Sequence, residues 1–302
     1  MKKIAIVLSI ISFTLKAQPK VSTGAIRHFE DFKSELVTPR NVDVWLPDGY
    51  SSNEKYEVLY MHDGQNLYDA SANWNKQAWE ADSISGKLIR ENKTRKFIIV
   101  GISNIPLQRF SNYFPQKAFE SLTRKTQDSL YALEWNGTKL FSGPVSSDAY
   151  LKFIVSELKP FIDKNFSVYP DQKHTFIAGS SMGGLISMYA VCEYPNIFGG
   201  AACLSTHWPG TFEKNNNPIP AAFFNYLKNH LPNPASNRFY FDYGDQTLDA
   251  LYPPLQAKAD EVMKLNGFNE VNWITKYYPG ADHSENSWQK RFEIPLVFLL
   301  GK

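Results

Sequence analysis

Three residue types, in an order that suits one reaction, stand out in the 302-residue chain. Gly179-Ser180-Ser181-Met182-Gly183-Gly184 fits the pattern G-x-S-x-G with Ser181 at its centre. The apolar stretch Thr175–Ala178 (TFIA) precedes it, and an apolar helical pattern over Gly183–Tyr194 follows. A tight strand-to-helix turn of this kind strains the serine backbone and lifts its hydroxyl above a sheet. Flanking glycines are needed because neighbouring elements leave no room for Cβ atoms. The helix that starts there aims its first amides and its dipole at any developing oxyanion. No Lys-Ser/Thr follows the glycines, and no G-x-G-x-x-G occurs, so a nucleotide-binding loop is not indicated.

A serine hydroxyl is a weak nucleophile and needs a base. In a strand-turn-helix setting of this kind the chain order is serine, acid, histidine. His283 is the only histidine after His230, and it lies in Pro279-Gly280-Ala281-Asp282-His283, directly after the last strand pattern. That is where the base belongs. The acid should follow the strand Arg238–Tyr243, where the sequence reads Gly244-Asp245-Gln246-Thr247-Leu248-Asp249. Asp249 is preferred, because a loop residue can turn over the sheet edge toward the imidazole and hold its tautomer. Asp245 is the alternative, whereas Asp242 alternates within the strand and faces sideways. An oxyanion hole requires two preorganised N–H groups. Met182, next after the serine, supplies one. The loop His62-Asp63-Gly64-Gln65-Asn66 supplies the other, with Gln65 N–H as the candidate donor.

Further residues are candidates for lining the cleft: Asp63, Asn66, Trp74, Asn104, Arg109, Tyr113, His207 and Trp208. Thr206-His207-Trp208 follows the strand Gly200–Leu204, at the carboxyl edge where open sheets place ligands. Aromatic residues there would stack on a sugar or phenolic ring, or simply pack a lid against the domain. His62 reads as structural. The six histidines show neither H-x3-H nor H-E-x-x-H spacing, so no metal site is expected and no cofactor is required.

The elements that must hold these groups alternate. Ala25–Phe32 and Arg40–Leu46 read as an antiparallel start. The strands Tyr56–His62, Phe97–Gly101, Thr175–Ala178, Gly200–Leu204, Arg238–Tyr243 and Asn272–Tyr278 are then separated by helical patterns. Those helices fall at Trp79–Arg90, Asp148–Asn165, Gly183–Tyr194, Ala221–His230, Leu255–Leu265 and Trp288–Leu300. Such alternation implies parallel βαβ units in an α/β fold with one mostly parallel sheet and helices on both faces. Serine, acid and histidine spread from 181 to 283 need a single sheet to gather them, so one domain over residues 18–302 is expected. Residues 105–147 interrupt the alternation with weak periodicity and many aromatics. They read as an inserted lid, with a short helix near Gln116–Lys125. Asn215–Asn217 before Pro218 reads as an exposed turn.

The amino terminus is of another kind. Met1–Lys3 is basic, Ile4–Leu15 is mostly apolar, and Lys16-Ala17-Gln18 follows, as in a secretory signal peptide cleaved after Ala17. The apolar run is too short to span a bilayer as a stable helix. The whole chain carries 32 Lys and Arg against 30 Asp and Glu, a formal charge of +2. Three of those lysines are in residues 1–17, so removing the leader leaves a charge of −1. A nearly neutral domain has no field for nucleic acid. Cys192 and Cys203 sit in apolar contexts and are expected as buried free thiols.

Together these residues resemble the putative esterase family of α/β-hydrolases, which includes S-formylglutathione hydrolases, feruloyl esterases, siderophore esterases and mycolyltransferases. The likeness runs from about Pro39 to Leu300. Its carriers are Val58–Asn66 (VLYMHDGQN), Asp148–Asp163, Gly179–Gly184 (GSSMGG) and Gly280–Trp288 (GADHSENSW). It implies an α/β-hydrolase fold and a triad of Ser181, His283 and an acid after Tyr243. It further implies an oxyanion hole from Met182 and Gln65, with Asp63 supporting that hole. One departure stands out: several relatives place the acid three residues after the strand-end glycine, and that position is Thr247 in this chain. The resulting expectation is an exported serine ester hydrolase acting on a small-molecule or saccharide ester. Feruloyl, acetyl and siderophore esters are the substrate classes. The alternatives are an acyltransferase to a sugar and an inactive hydrolase fold used for binding.

Overall fold

The computed structural model describes residues 19–73, 75–212 and 216–302. The expected leader (residues 1–17), Trp74 and Asn215 lie outside the described residues. The strands, in chain order, are β1 (Ala25–Phe32), β2 (Arg40–Leu46), β3 (Glu57–His62), β4 (Phe97–Ile102), β5 (Glu134–Trp135), β6 (Thr138–Lys139), β7 (Thr175–Ser180), β8 (Gly200–Leu204), β9 (Arg238–Tyr243) and β10 (Trp273–Tyr277). Eight of them form one sheet in the order β1-β2-β4-β3-β7-β8-β9-β10. β1 and β2 pair antiparallel, and β2 pairs antiparallel with β4; every pairing from β4 onward is parallel.

The strands read as near-continuous apolar runs because the sheet is covered on both faces. Alternate residues go to opposite sides. Val58, Tyr60, Ile98 and Val100 join one core with Leu185, Phe223 and Met263, whereas Leu59, Met61 and Ile99 join another with Leu88, Leu296 and Leu299. The helices follow accordingly. α1 (Ala81–Arg90) and α11 (Glu293–Leu300) cover one face. α7 (Met182–Glu193), α8 (Ile219–His230) and α9 (Pro253–Leu265) cover the other. No described helix is long and apolar enough to cross a membrane. Cys192 and Cys203 are buried and free.

Two differences from the sequence reading have local causes. The closing helix is two helices, α10 (Glu285–Gln289) and α11. Pro295 lacks an N–H and fits only in a first turn, so a new helix has to start just before it. Residues 147–165 are helical throughout, as α5 (Ser147–Phe153) and α6 (Lys159–Asn165) joined by a π-helical turn at Ile154–Leu158. Pro160 removes one backbone donor there.

The inserted segment is more ordered than its weak periodicity suggests. It contains α2 (Arg109–Tyr113), α3 (Gln116–Glu120), α4 (Arg124–Tyr131) and the β5–β6 hairpin. Asn136 and Gly137, both at positive φ (50° and 75°), make the two-residue hairpin turn, an Asn-Gly signal visible in the sequence. Thr123 caps α4 by accepting from Thr126 N–H. Phe114, Phe119, Tyr131 and Phe141 form a cluster of edge-to-face and tilted rings that packs the segment onto the main core.

The loops leaving β9 and β10 cross closely. A Cβ on Gly244 would lie 2.1 Å from Ala281 O, a backbone atom already accepting from Asp245 and Gln246 N–H. Gly244→Ala is therefore expected to cost about 2–3 kcal/mol, read as a lower urea midpoint. An unchanged midpoint would show that the two loops separate freely.

Candidate active site

Ser181 stands between β7 and α7 with φ 58° and ψ −123°, a strained conformation for any residue with a side chain. The turn is tight: a Cβ on Gly179 would come within 2.8 Å of the Gly183 backbone. The strain is held by backbone bonds. Ser181 N–H donates to Leu204 O at 2.9 Å, and Ser181 O accepts from Gly184 N–H at 3.0 Å and His207 N–H at 3.2 Å. Met182 opens α7, and Gln65 lies in the short 3-10 turn Gly64–Asn66 after β3. Both amides are first-turn donors, which have no acceptor within their own helix.

His283 and Asp249 meet. His283 Nδ1 lies 2.5 Å from Asp249 Oδ1, and Asp249 is completely buried. The imidazole is held edge-on by Trp288 and Tyr252, with ring centroids 5.0 and 5.8 Å away. Asp245, the alternative acid, is turned outward. It accepts from Tyr277 OH, from Gly280 N–H at 2.9 Å and from Gln246 Nε2 at 2.8 Å. Thr247, at the position where the family likeness would put an acid, accepts the His283 backbone N–H at 3.0 Å. It fixes the base's main chain rather than its ring. Asp242 is buried in β9 and paired with Arg291 at 2.8 Å. Burial pushes its carboxyl up to about 6, against the opposing pull of Arg291.

Ser181 and His283 line a common cleft of about 1060 Å³. Among the described residues no hydrogen bond joins them; Tyr252 OH lies 2.9 Å from His207 Nδ1. Asp63, Gln65, Asn66, Asn104 and Arg109 line the cleft as expected from the sequence. Asp63 takes a left-handed backbone (φ 56°) and a two-pronged contact from Arg109, at 2.9 and 2.8 Å, plus Asn104 Nδ2 at 2.6 Å. Burial alone would raise the Asp63 carboxyl; Arg109 and Asn104 outweigh it and hold it below the ordinary value. Asn66 Nδ2 donates to Glu285 Oε1 at 3.1 Å, and Asn75 Nδ2 to Glu285 Oε2 at 2.8 Å.

Three expectations need correction. Trp208 is fully buried, donates its indole N–H to Gln256 Oε1 at 2.8 Å and packs on Phe224 and Phe241. It is core rather than cleft wall, because α8 and α9 cover that sheet edge. His207 is also buried, and burial pushes its imidazole down to about 3. It stands neutral behind Ser181 and offers no face for stacking. Tyr113 is buried too, its hydroxyl accepting Asp63 N–H at 3.3 Å. His62 is buried against Tyr150 OH at 2.8 Å. The cleft instead gains Trp79, Trp288, Glu285, His28, Asp43 and Ser103. Glu285 sits two residues past His283 in the sequence and was visible there. His28 and Asp43, paired at 2.6 Å, carry no motif.

An open α/β sheet with a strained serine at a strand-helix turn and a buried Asp–His pair opposite it defines a hydrolase architecture. The chain belongs to the family described as "Putative esterase", whose model matches residues 34–297. It is 24% identical over 271 residues to an uncharacterized protein, YbbA, of Bacillus subtilis, covering 87% of this chain and 93% of that protein. It is 25% identical to an endo-1,4-beta-xylanase/feruloyl esterase of Xylanibacter ruminicola, covering 90% of this chain but 31% of that longer protein. An IroE-like serine hydrolase from Shewanella oneidensis shares the fold with TM-score 0.67 and 18% identity, covering 91% and 79% of the two chains. A ferulic acid esterase from Anaeromyces mucronatus shares it with TM-score 0.57 and 17% identity, covering 94% and 93%. The protein is thus a hydrolase of the esterase class.

The outward Asp245 and the buried Asp249 behave differently on substitution. Asp249→Asn is expected to lower kcat about a thousandfold or more, and Asp245→Asn to leave it within about threefold. Steady-state hydrolysis of p-nitrophenyl acetate measures both. Collapse in Asp245→Asn alone would reverse the assignment.

Proposed function

We propose that the protein is an exported serine carboxylic-ester hydrolase working through an acyl-Ser181 intermediate. The observation that carries this reading is the strained Ser181 facing the same cleft as a histidine whose Nδ1 is held by a buried carboxylate. Ser181 Oγ attacks the ester carbonyl while His283 Nε2 takes its proton. Asp249 holds the opposite nitrogen and stabilises the imidazolium. The tetrahedral oxyanion accepts from Met182 and Gln65 N–H. His283 then gives its proton to the alcohol leaving group and activates the water that hydrolyses the acyl-enzyme. The Ser181–His283 contact tightens on substrate binding, as catalytic hydrogen bonds commonly do.

The cleft's chemistry supports a saccharide ester. Most of its lining residues carry amide, hydroxyl or carboxylate groups, including Asn41, Asn66, Asn73, Asn75, Gln77 and Ser103, beside the largely buried Trp79 and Trp288. Such groups suit hydroxyl-rich ligands. Four carboxylates (Asp43, Asp63, Asp69, Glu285) against Lys20, His28 and Arg109 disfavour a polyanionic ferric catecholate. A feruloyl or acetyl ester of a neutral sugar is the preferred substrate class. The same hydroxyl-accepting walls would also admit a sugar in place of water, making acyl transfer the second reading.

A fluorophosphonate probe is expected to label the wild-type protein and not Ser181→Ala. Absence of labelling in folded wild type would instead leave a binding module. Methyl ferulate and p-nitrophenyl acetate should be turned over faster than a catecholate siderophore ester; the reverse order would overturn the sugar-ester reading. The basic-apolar amino terminus supports export. Expression in a Gram-negative host should give periplasmic protein starting at Gln18 by intact mass, and cytoplasmic protein retaining Met1 would refute it.

A further inference from the structure

Behind the acid lies a serine that is not part of the cleft lining. Ser205 follows β8 directly, is completely buried and has φ 42°, a conformation rare for residues with side chains. Its backbone N–H is fastened to Asp242, at 2.9 Å from the carbonyl and 3.0 Å from Oδ1. Its hydroxyl has three partners: Arg291 at 2.7 Å, Trp288 Nε1 at 3.0 Å and Asp249 Oδ2 at 2.6 Å.

The directions of these bonds are forced. Guanidinium and indole N–H groups only donate. Both lone pairs of Ser205 Oγ are therefore used, and its single proton has one destination, Asp249 Oδ2. That oxygen also accepts Gly244 N–H at 2.7 Å. With two donors aimed at Oδ2, no proton is held on that oxygen, and Oδ1 is left to His283 Nδ1 at 2.5 Å. A carboxylate Oδ1 requires the proton to be on Nδ1, which leaves Nε2 with the lone pair that a base needs.

We propose that Ser205 is a positioning residue for Asp249: its hydroxyl relays the positive charge of Arg291 to the carboxylate, keeps it ionised with Oδ1 toward His283, and so sets the tautomer and basicity of that histidine. The proposal rests on reading Ser181, His283 and Asp249 as a triad. Arg291 also serves Asp242 at 2.8 Å, so the relay draws on a buried ion pair rather than a lone cation. Trp288 and Arg291 come from α10 and the segment after it, the stretch of chain that follows His283. The same stretch therefore carries the base and fastens the support of its acid.

The test uses the full chain and p-nitrophenyl acetate, with Ser205→Ala, Ser205→Gly, Asp249→Asn and the double variant Ser205→Ala/Asp249→Asn. Glycine tolerates the positive φ, so it separates loss of the hydroxyl from backbone strain. Both single Ser205 variants are expected to lower kcat about ten- to a hundredfold, with KM within about twofold. The acidic limb of kcat/KM should move upward. Without the hydroxyl and its link to Arg291, the Asp249 charge acts more fully on the imidazolium and favours the protonated base. In the Asp249→Asn background, removing Ser205 should cost no more than about twofold, because the group it acts through is already gone. An unmoved pH profile, or a full loss on top of Asp249→Asn, would overturn the proposal. Ser181→Ala keeps the two readings apart. If it turns over like wild type, the triad reading fails. If it is inactive while the Ser205 variants match wild type in kcat and pH profile, the triad stands and the Ser205 proposal falls.

Discussion

A carboxylate with no exposure to solvent is tolerable only if its oxygens are fully engaged. Asp249 meets that condition with Gly244 N–H and the Ser205 hydroxyl on one oxygen and His283 on the other. The three partners leave from three neighbouring strands: Ser205 from β8, Gly244 from β9 and His283 after β10. They converge because those strands are parallel and in register, with Leu204 beside Asp242 and Tyr243 beside Tyr277. A shift of one residue in either pairing would turn each side chain to the opposite face and strand the acid.

The same logic explains the strain tolerated at the strand ends. Ser181, Asp63 and Ser205 all have positive φ, and each ends or follows a central strand. Each is over-determined by its surroundings: Ser181 by Leu204 O and His207 N–H, Asp63 by Arg109 and Asn104, Ser205 by Asp242. Local strain at a carboxyl edge persists only where such bonds outweigh it. The inserted segment contributes directly, since Arg109, which pairs with Asp63, is the first residue of α2. An insert packed by its own aromatic cluster can hold a guanidinium in place, which a loose loop would not.

Polarity then separates the cleft from the core. Asn66, Asn75 and Glu285 tie one wall together, and Asp63, Asn104 and Arg109 tie another. Side chains that already satisfy one another keep a fixed pattern of remaining donors and acceptors. That is the requirement for recognising hydroxyl groups at defined angles.

Much of this was legible in the sequence, and the reason is locality. The G-x-S-x-G turn, the strand and helix periods and the serine-acid-histidine order all express constraints between near neighbours or along one chain direction. Ser181, His283 and Asp249 were reachable on those grounds, as was the sheet that gathers them. What the tertiary structure decided was every matter of facing and company. Trp208 became core because α8 and α9 cover its edge, and Asp245 turned outward because Gly280 and Tyr277 claim it. His28 and Asp43 entered the cleft through the register of the antiparallel β1–β2 pair, which no spacing announces. Ser205 gained Trp288 and Arg291 as partners from more than eighty positions away. Burial and hydrogen-bond direction depend on which elements pack together, and that is settled only when the whole sheet closes.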